Sequence, residues 1–230
     1  MDLELHSHSQ YSFDSLTKPE DIVAQCRIIG IDRIAITDHN EIQGALSALK
    51  LAPDLIIVGE EVMTTQGELL CYFINSRIPP GMTPADTCDL VHQQGGLVGP
   101  SHPFDPRRSG LGGTILRLIA NKLDFVEVFN ARTRDTSKND LAYDLARDLN
   151  LPMICASDAH TIAEIGRTRV RVQHEVDTPA SFLRALSDCE LITNHSSGLV
   201  SIGSRAAALA HLMGMGMPGE NNENKPAKVL

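Results

Sequence analysis

Short apolar segments alternate with amphipathic segments along most of this chain of 230 residues, and the alternation restricts the folds that it can adopt. The apolar segments have the length of strands. Several amphipathic segments end in Gly or Asn, which favour the left-handed backbone at a helix C-terminus. Strands that alternate with helices predict a parallel sheet. We predict strands at Leu3–Leu5, Ile34–Ile36, Leu55–Val58, Leu69–Ile74, Leu97–Gly99, Phe125–Val128, Met153–Ala156 and Thr168–Val172.

The amphipathic segments predict helices between these strands and after the last one. The first helix has a start signal, because Thr17 is a candidate N-cap and Glu20 follows three residues later. With seven or eight strands in a chain of this length, a closed or distorted α/β barrel is favoured over an open sheet. The helices are predicted at Pro19–Ile29, Ile42–Lys50, Pro84–Gln94, Ile115–Asn121, Lys138–Asn150 and Pro179–Asp188.

Composition restricts the compartment and the partners. No apolar run is long enough to span a bilayer, and the first residues lack the basic and apolar regions of a secretory signal. The five cysteines are scattered without a C-x-x-C pair, as is typical of free thiols in a reducing cytoplasm. The sequence therefore predicts a cytoplasmic protein without a membrane partner. The formal net charge of −9 and the lack of a Lys/Arg run argue against a nucleic-acid partner.

Side chains that can bind metal ions follow the predicted strands. His6 and His8 lie two apart in an extended segment, so both imidazoles point to one face. Asp14 follows six residues after His8, and as a lone residue it could equally be a turn residue or a cap. Residues at the carboxyl ends of barrel strands meet at the face where α/β barrels build active sites. The later candidates are Asp38, His39, Glu60, Glu61, His102, Asp105, Asp158 and His160.

The distribution of the nine histidines predicts a metal centre, because five of them lie at strand ends. Mixed imidazole and carboxylate ligands suit Zn, Mn or Fe and disfavour a thiolate-type structural zinc site. A tetrahedral catalytic zinc takes about three protein ligands. The larger set found here therefore predicts two or three divalent ions that share a bridging carboxylate. The remaining histidines are predicted to be surface or structural residues: His92, His174, His195 and His211.

Five motifs occur in the order His6-x-His8, Thr37-Asp38-His39, Gly59-x-Glu61, Ser101-His102-Pro103 and Ser157-Asp158-Ala159-His160. Together they resemble the motifs of the PHP (polymerase and histidinol phosphatase) family. The resemblance covers about residues 1–200, of which about 161–200 look like the PHP-associated C-terminal part. It implies a distorted (β/α)7 TIM-like barrel with a di- or trinuclear metal centre. Beyond it we predict a terminal helix at 201–213 and a disordered tail at 214–230, rich in Gly, Pro, Asn and Lys.

The resemblance implies how the ligands are shared between the ions, and it implies that Asp38 orients a neighbouring imidazole. One ion would be held by His6, His8, Glu61 and Asp158. A second ion would share Glu61 and add His102. A third position would be formed by Asp14, His39 and His160.

One departure from the family pattern affects the number of ions. Many relatives have a histidine in the strand after the G-x-E motif, where this chain has Leu70, which cannot bind a metal ion. Either Glu68 takes that role, or the second ion is more open and weakly held. A binuclear site is therefore a safer prediction than a trinuclear one.

Such a centre suits the hydrolysis of phosphate esters, because a water between two ions loses a proton near neutral pH and the ions neutralise phosphoryl charge. We expect in-line attack by a metal-bridging hydroxide on a small phosphorylated substrate, such as a nucleotide or a sugar phosphate. The candidate catalytic residues are His39, His160 and Asp158. Either histidine could protonate the leaving oxygen.

Phosphate binding favours an arginine, because its planar fork matches two oxygens at once. Asn130 and Arg132 follow the predicted sixth strand, and we favour them as substrate-binding residues. A solvated surface arginine is the alternative for Arg132, and it is the favoured interpretation for Arg107, Arg108 and Arg134.

Two other functions stay open. A nuclease or phosphodiesterase would resemble the proofreading members of the family, and the acidic net charge argues against it. A non-catalytic scaffold would resemble members that have lost ligands, and the near-complete ligand set argues against that. The sequence does not indicate the substrate, the metal or the oligomeric state.

Overall fold

A computed structural model describes residues 1–196 and 200–213, so the predicted tail at 214–230 lies outside the described residues. The strands are β1 Asp2–Ser7, β2 Arg33–Ile36, β3 Ile56–Met63, β4 Glu68–Tyr72, β5 Leu97–Pro100, β6 Val126–Asn130, β7 Met153–Ala156, β8 Arg169–Arg171 and β9 Glu190–Ile192. The α-helices are α1 Pro19–Ile29, α2 Gln43–Leu51, α3 Pro84–Gln93, α4 Gly112–Leu118, α5 Thr136–Leu149, α6 Pro179–Ala185 and α7 Val200–Leu212. Short 3-10 turns occur at Pro106–Arg108, Ala120–Lys122, Ile162–Glu164 and Leu186–Asp188.

The strands form a curled sheet with the order β5-β4-β3-β2-β1-β8-β9, and β6 pairs with β7 in a separate parallel sheet. Backbone contacts join the two sheets on both sides. Ser7 at the end of β1 bridges Ala159, just beyond β7, in parallel. The N–H of Asp124, before β6, donates to the carbonyl of Val98 in β5 at 2.9 Å. The strands β1 to β7 therefore curl into a distorted TIM-like barrel, which confirms the predicted fold class.

The direction of β4 differs from the predicted parallel order. Only the turn at 64–67 joins β3 to β4, and it is too short for the crossover that a parallel pair needs. β4 therefore runs antiparallel to both β3 and β5. As a result its first residue, Glu68, lies at the barrel edge where the parallel strands end.

Local signals account for most of the helix ends. Gly30 and Asn150 adopt the left-handed backbone at the C-termini of α1 and α5, which confirms these predicted stops. The predicted cap at Thr17 is wrong. Lys18 is the N-cap of α1 without a side-chain cap bond, and the Thr17 hydroxyl instead donates to the carbonyl of His160.

The helices cover the outside of the barrel. α1 and α2, for example, bury Ile22 and Ala48 against Ile34 and Ile56 of the neighbouring strands. Within 1–196 and 200–213, no helix has both the length and the apolar character that crossing a bilayer would require.

An aromatic group fills the barrel interior. The rings of Tyr72 and Phe125 stack with their centroids 4.9 Å apart, and Phe182 of α6 packs edge-on 5.9 Å from Tyr72. The Tyr72 hydroxyl donates across the barrel to the backbone carbonyl of Leu5 at 2.6 Å. Leu70 is fully buried in the same cluster. β4 therefore places apolar and aromatic side chains inside the barrel and Glu68 at its mouth.

The bond between Tyr72 and Leu5 predicts a measurable loss of stability on Tyr72→Phe. The change leaves a buried carbonyl without this donor, so we expect a cost of about 1–3 kcal/mol in the free energy of unfolding. Urea denaturation followed by circular dichroism measures it. The control is Tyr143→Phe on the exposed surface of α5, where we expect a change of about 0.5 kcal/mol or less. Equal midpoints for the two variants would contradict a structural role for the Tyr72 hydroxyl.

Candidate metal centre

The eight predicted metal ligands lie together at the barrel edge where the parallel strands end. β1 and β3 carry ligands within the strand, and the loops after β1, β2, β5 and β7 carry the others. The side chains are at most 17% exposed, so water covers little of the cluster. The members are His6, His8, Asp14, His39, Glu61, His102, Asp158 and His160.

Glu61 lies at the centre of the cluster. Its Oε1 accepts from the Ser101 hydroxyl at 2.5 Å and lies 3.1 Å from His102 Nε2. Its Oε2 lies 3.1–3.4 Å from ring nitrogens of three further residues, His6, His8 and His39. The two oxygens of this one carboxylate therefore face two different sets of imidazoles, as a bridging ligand requires.

His6 and His8 direct their Nε2 atoms to one point. These atoms are 3.1 Å apart, and they lie 3.7 Å and 3.3 Å from Asp158 Oδ1. On the other side of the His6 ring, Nδ1 lies 3.0 Å from Glu127 Oε1. When Nδ1 carries the proton donated to Glu127, Nε2 presents a lone pair towards Asp158 and His8.

Ser12 holds the ring of His8 in the same tautomer. Its hydroxyl donates to Asp38 Oδ1 at 3.0 Å, so it accepts from His8 Nδ1 and from the His39 backbone N–H, each at 3.0 Å. Asp38 also accepts from the backbone N–H and the hydroxyl of Ser9 at 2.6 Å and 2.7 Å. Asp38 thus lies one layer behind the ligands and acts on them through Ser12.

Asp14 joins His39 and His160 on the outer side of the cluster. Its Oδ2 lies 2.9 Å from His160 Nε2 and 3.6 Å from His39 Nε2. The other ring nitrogen of His160, Nδ1, lies 2.9 Å from the backbone carbonyl of Asp158. Asp14 therefore faces the two imidazoles with which the resemblance groups it, and it caps no helix, because α1 begins after Lys18.

Glu68 lies on the side of the cluster where relatives have a histidine. Its Oε1 lies 3.5 Å from His39 Nδ1, and its Oε2 lies 3.6 Å from His102 Nε2. Residues two apart in a strand face the same side, so Glu68 shares a face with Leu70 but lies one step nearer the barrel mouth. Of the two alternatives that Leu70 left open, this geometry favours Glu68 as the substitute ligand.

The donor set fits divalent cations. Three buried carboxylate oxygens of the cluster have no hydrogen-bond partner among the described residues: Asp14 Oδ1, Glu61 Oε2 and Asp158 Oδ1. Such oxygens are costly unless a cation or a water satisfies them. Three groups have ligand atoms within 4.8 Å of one another, namely His6 with His8 and Asp158, His39 with Glu61 and Glu68, and His8 with Asp14, His39 and His160.

The pKa values of the metal-free cluster follow from burial and close charges. Burial, together with the neighbouring rings of His160 and His39, lowers the pKa of His8 to about 3, which keeps this ring neutral as a ligand must be. Burial also opposes protonation of His6, but the carboxylates of Asp158 and Glu61 outweigh it and raise the pKa of His6 well above its usual value. The cluster therefore gathers negative charge around His6 that a bound cation would neutralise.

An unusual backbone conformation directs the side chains of two candidate ligands into the cluster. His102 and Asp158 adopt positive φ angles of 29° and 53°, which residues with a Cβ rarely do. Glu127 of β6 stabilises the first of these turns, because its Oε2 accepts from the His102 backbone N–H at 2.6 Å. Glu127 is not among the residues predicted from the sequence, although a single carboxylate within the apolar strand Phe125–Val128 was a signal for it.

The two residues predicted to bind substrate, Asn130 and Arg132, have different surroundings. Asn130, the last residue of β6, donates from Nδ2 to Asp158 Oδ2 at 3.0 Å. Arg108 donates to the same Asp158 oxygen and, at 2.8 Å, to Asn130 Oδ1. Arg132 donates from Nε to Glu164 Oε1 at 2.8 Å. The arginine that adjoins the cluster is therefore Arg108, whereas Arg132 is held by a buried carboxylate.

Family models and sequence relatives agree on the ancestry of this chain. A model of the PHP domain matches residues 4–140, and a PHP-associated model matches residues 136–189. An uncharacterized protein of Methanocaldococcus jannaschii is 38% identical over 155 residues, which are 62% of this chain and 89% of that protein. A second uncharacterized protein of this organism is 34% identical over 175 residues, which are 74% of this chain and 70% of that protein.

Solved structures with low sequence identity share the fold. A proposed metal-dependent phosphoesterase from Bifidobacterium adolescentis has a TM-score of 0.61 at 16% identity, over 80% of this chain and 95% of that chain. Endonuclease Q, in complex with a 27-mer duplex substrate, has a TM-score of 0.62 at 15% identity, over 98% of this chain and 75% of that chain. The expectation that a nucleic-acid partner is unlikely is wrong, because a solved structure of this fold holds a duplex substrate. Net charge does not describe the charge at the barrel mouth.

The position of Glu68 predicts that Glu68→Gln weakens metal binding. Loss of one carboxylate ligand should lower the affinity of the metal that it contacts by about tenfold or more. Elemental analysis after dialysis against defined metal concentrations measures the ions retained per chain. The matched control is Glu60→Gln on the neighbouring strand β3, whose carboxylate accepts from the Ile78 N–H at 2.8 Å instead of facing the cluster. Equal metal content in the two variants would remove Glu68 from the ligand set.

Proposed function

Because this chain belongs to the PHP family, we propose that it is a metal-dependent phosphoesterase that hydrolyses small phosphorylated metabolites such as nucleotides or sugar phosphates. The observation that supports this proposal is the convergence of five imidazoles and four carboxylates around the buried oxygens of Glu61. Such a donor set matches two or three ions of Zn, Mn or Fe. When bound, these ions lower the pKa of a coordinated water and neutralise charge on phosphoryl oxygens.

The proposed ligand sets start from the three groups of close side chains, and they add Glu61 to the first, replace His39 by His102 in the second and leave His8 out of the third. One ion is assigned to His6, His8, Glu61 and Asp158. A second is assigned to Glu61, Glu68 and His102. A third is assigned to Asp14, His39 and His160. His39 also lies close to Glu61 and Glu68, so it adjoins the second and the third position.

Arg108 is the residue that we assign to the scissile phosphate. Its side chain is 23% exposed and contacts Asp158, so the guanidinium lies between the metal ligands and solvent. A guanidinium presents paired N–H donors that match two phosphoryl oxygens. Asn130 holds Arg108 in this position through its Oδ1. Asp158 contributes to catalysis in two ways, as a metal ligand and as the partner that orients Arg108.

Arg132 was favoured from the sequence as a substrate-binding residue, and here it is assigned a structural role instead. Its Nε and Nη2 donate to the two oxygens of Glu164, and Nη2 also donates to the Ser204 hydroxyl of α7. These bonds join the loop after β6 to the turn Ile162–Glu164. We propose that Arg132 holds this wall of the site in place.

For a site that holds two ions, in which His39 does not bind a metal ion, we assign His39 as the proton donor to the leaving oxygen. Its side chain is 13% exposed, compared with 2% for His160, so it is the more accessible of the two candidates. His160 has both ring nitrogens engaged, by Asp14 and by the carbonyl of Asp158. His160 therefore serves to position Asp14 and one ion.

Metal analysis coupled to a substrate screen tests the proposed function. We expect stoichiometric metal in the purified protein, hydrolysis of at least one nucleotide or sugar phosphate, loss of activity with a chelator, and recovery when metal is returned. Full metal occupancy without hydrolysis of any phosphate ester would refute the phosphoesterase. Absence of both metal and activity would favour the scaffold.

Arginine variants separate a substrate contact from a structural one. Arg108→Ala should lower kcat/KM for p-nitrophenyl phosphate by about 100-fold, because a charge-assisted bidentate contact is lost. In the metal-loaded protein its melting temperature should change little, because buried Asp158 keeps the bound ion as a partner of opposite charge. Arg108→Lys should retain only part of the wild-type kcat/KM, because an ammonium lacks the planar, paired N–H donors of a guanidinium. Arg132→Ala should instead lower the melting temperature, because Glu164, only 1% exposed, loses its cation. A normal kcat/KM for Arg108→Ala would remove this residue from the substrate site.

A further inference from the structure

The C-terminal helix α7 is an addition to the barrel. It comprises Val200–Leu212, whereas the two family models match residues 4–189. The segment between β9 and α7 runs towards the loop after β6. In this segment the N–H of Asn194 donates to the Thr168 hydroxyl at 3.0 Å, and the N–H of Ser196 donates to the carbonyl of Ala131 at 2.9 Å. The chain thus reaches the barrel mouth before α7 begins.

Two side chains of α7 contact loops of the barrel mouth. The Ser204 hydroxyl accepts from Nη2 of Arg132, in the loop after β6, at 2.7 Å. In the last turn of the helix, Nε2 of His211 lies 2.9 Å from the carbonyl oxygen of Ser15, in the loop after β1. A carbonyl oxygen can only accept, so this ring nitrogen carries a proton and donates it. The two contacts are seven positions apart, about 10 Å along the helix axis.

One face of α7 makes these contacts. Ser204, Ala207 and His211 are spaced by three and four residues, so they lie on the same side of the helix. Ala207 is 4% exposed, whereas Leu212, outside this face, is 86% exposed. The helix therefore packs on the barrel mouth and bridges the loop after β6 to the loop after β1.

The loop after β1 carries the candidate ligand Asp14, and Ser15 holds it from the inside. The Ser15 hydroxyl lies 2.9 Å from the carbonyl of His8 and 3.0 Å from the carbonyl of His160, to which the Thr17 hydroxyl also donates at 3.2 Å. These bonds attach the loop to the backbone of two further candidate ligands. The bond from α7 reaches the same residue, Ser15, through its carbonyl oxygen.

Asp14 lies in the outermost of the three proposed metal positions. Its side chain is 17% exposed and that of His39 is 13% exposed, whereas the other six candidate ligands are at most 2% exposed. Asp14 also belongs to a loop, whereas His6 and Glu61 belong to strands. The placement of Asp14 therefore depends on the contacts that hold this loop.

We propose that α7 sets the affinity of the outermost metal position, formed by Asp14, His39 and His160, by holding the loop that carries Asp14. The inference rests on the proposed function, because it takes this position to bind an ion. His211 acts as a positioning residue, since it contacts the backbone of Ser15 and no candidate ligand side chain. A loop that is already held loses less conformational entropy when its carboxylate binds an ion, so the ion binds more tightly.

The proposal links α7 to the number of ions in the centre. With the contact from His211 to Ser15 in place, the outermost position competes for a third ion. Without the contact, that ion binds more weakly, while the two positions that share Glu61 keep their affinity. None of the ligands assigned to those two positions lies between Ser9 and Thr17.

Metal titration of the full chain tests the proposal. Elemental analysis after dialysis against a range of free Mn²⁺ concentrations gives the ions held per chain and the Kd of each. We expect His211→Ala to raise the Kd of the weakest ion about tenfold and to leave the other two unchanged. His211→Gln should restore most of the affinity, because its amide N–H can donate to the same carbonyl. Ser204→Ala, which removes the other contact of α7, should weaken the same ion.

The matched control is Leu212→Ala, at the next position of the same helix, which should bind all ions as the wild type does. A double-mutant cycle with Asp14→Asn assigns the effect to the outermost position. Asp14→Asn alone should remove the third ion, and His211→Ala should then change metal binding no further, because both act on one position.

Three outcomes would overturn the proposal. The first is a wild-type chain that holds only two ions at saturating Mn²⁺. The second is a His211→Ala variant that weakens all ions equally. The third is a His211→Ala variant that melts at a lower temperature but binds the third ion normally, which would make α7 a structural helix only.

Hydrolysis measured on the same samples separates this proposal from the phosphoesterase. If the third ion responds to His211→Ala but no phosphate ester is hydrolysed, the proposed function fails and the role of α7 stands. If phosphate esters are hydrolysed but the third ion does not respond to this variant, the phosphoesterase stands and the role of α7 is refuted.

Discussion

The carboxylate of Glu61 is buried between four imidazoles, and the organisation of the barrel mouth depends on this contact. A buried charge is stable only when opposite charges or hydrogen-bond donors surround it. Here the surrounding groups come from β1 and from the loops after β2 and β5. Each imidazole in turn needs a partner that holds its tautomer, and Glu127 and the Ser12–Asp38 pair provide two of these. The ligands are thus preorganised by a second layer of buried polar groups.

The direction of β4 decides how that cluster is completed. A strand that followed a helical crossover would end at the barrel mouth, and Tyr72 would then lie there. The tight turn after β3 reverses the strand, so Glu68 reaches His39 and His102 while Tyr72 bonds to Leu5 inside the barrel. One strand of five residues therefore supplies both a candidate ligand and part of the core.

The charge beside the barrel mouth differs in sign from the net charge of the whole chain. The acidic surplus of the whole chain includes the carboxylates gathered at the metal centre, and the loops after β5 and β6 place arginines and a lysine beside them. Local fields in a cleft depend on the groups that line it, because salt screens distant exposed charges within about 10 Å. The anionic substrate that we propose would therefore meet cations at the mouth even though the net charge is −9.

Local patterns in the sequence determined much of the fold and of the candidate metal centre. Alternating apolar segments predicted the barrel, and the period of two in β1 placed His6 and His8 on one face because strand geometry is local. The ordered motifs indicated the family and contain seven of the eight candidate ligands that the structure brings together, all except Asp14. Their partners Glu127 and Arg108, in contrast, depend on which loops meet in space. An apolar run such as Leu69–Ile74 has the same pattern in either direction, so only the hairpin showed that β4 is antiparallel. The tertiary structure decided these points because hydrogen bonds and ion pairs join residues far apart in the chain, such as Arg108 and Asp158, whereas periodicity reports only on neighbours.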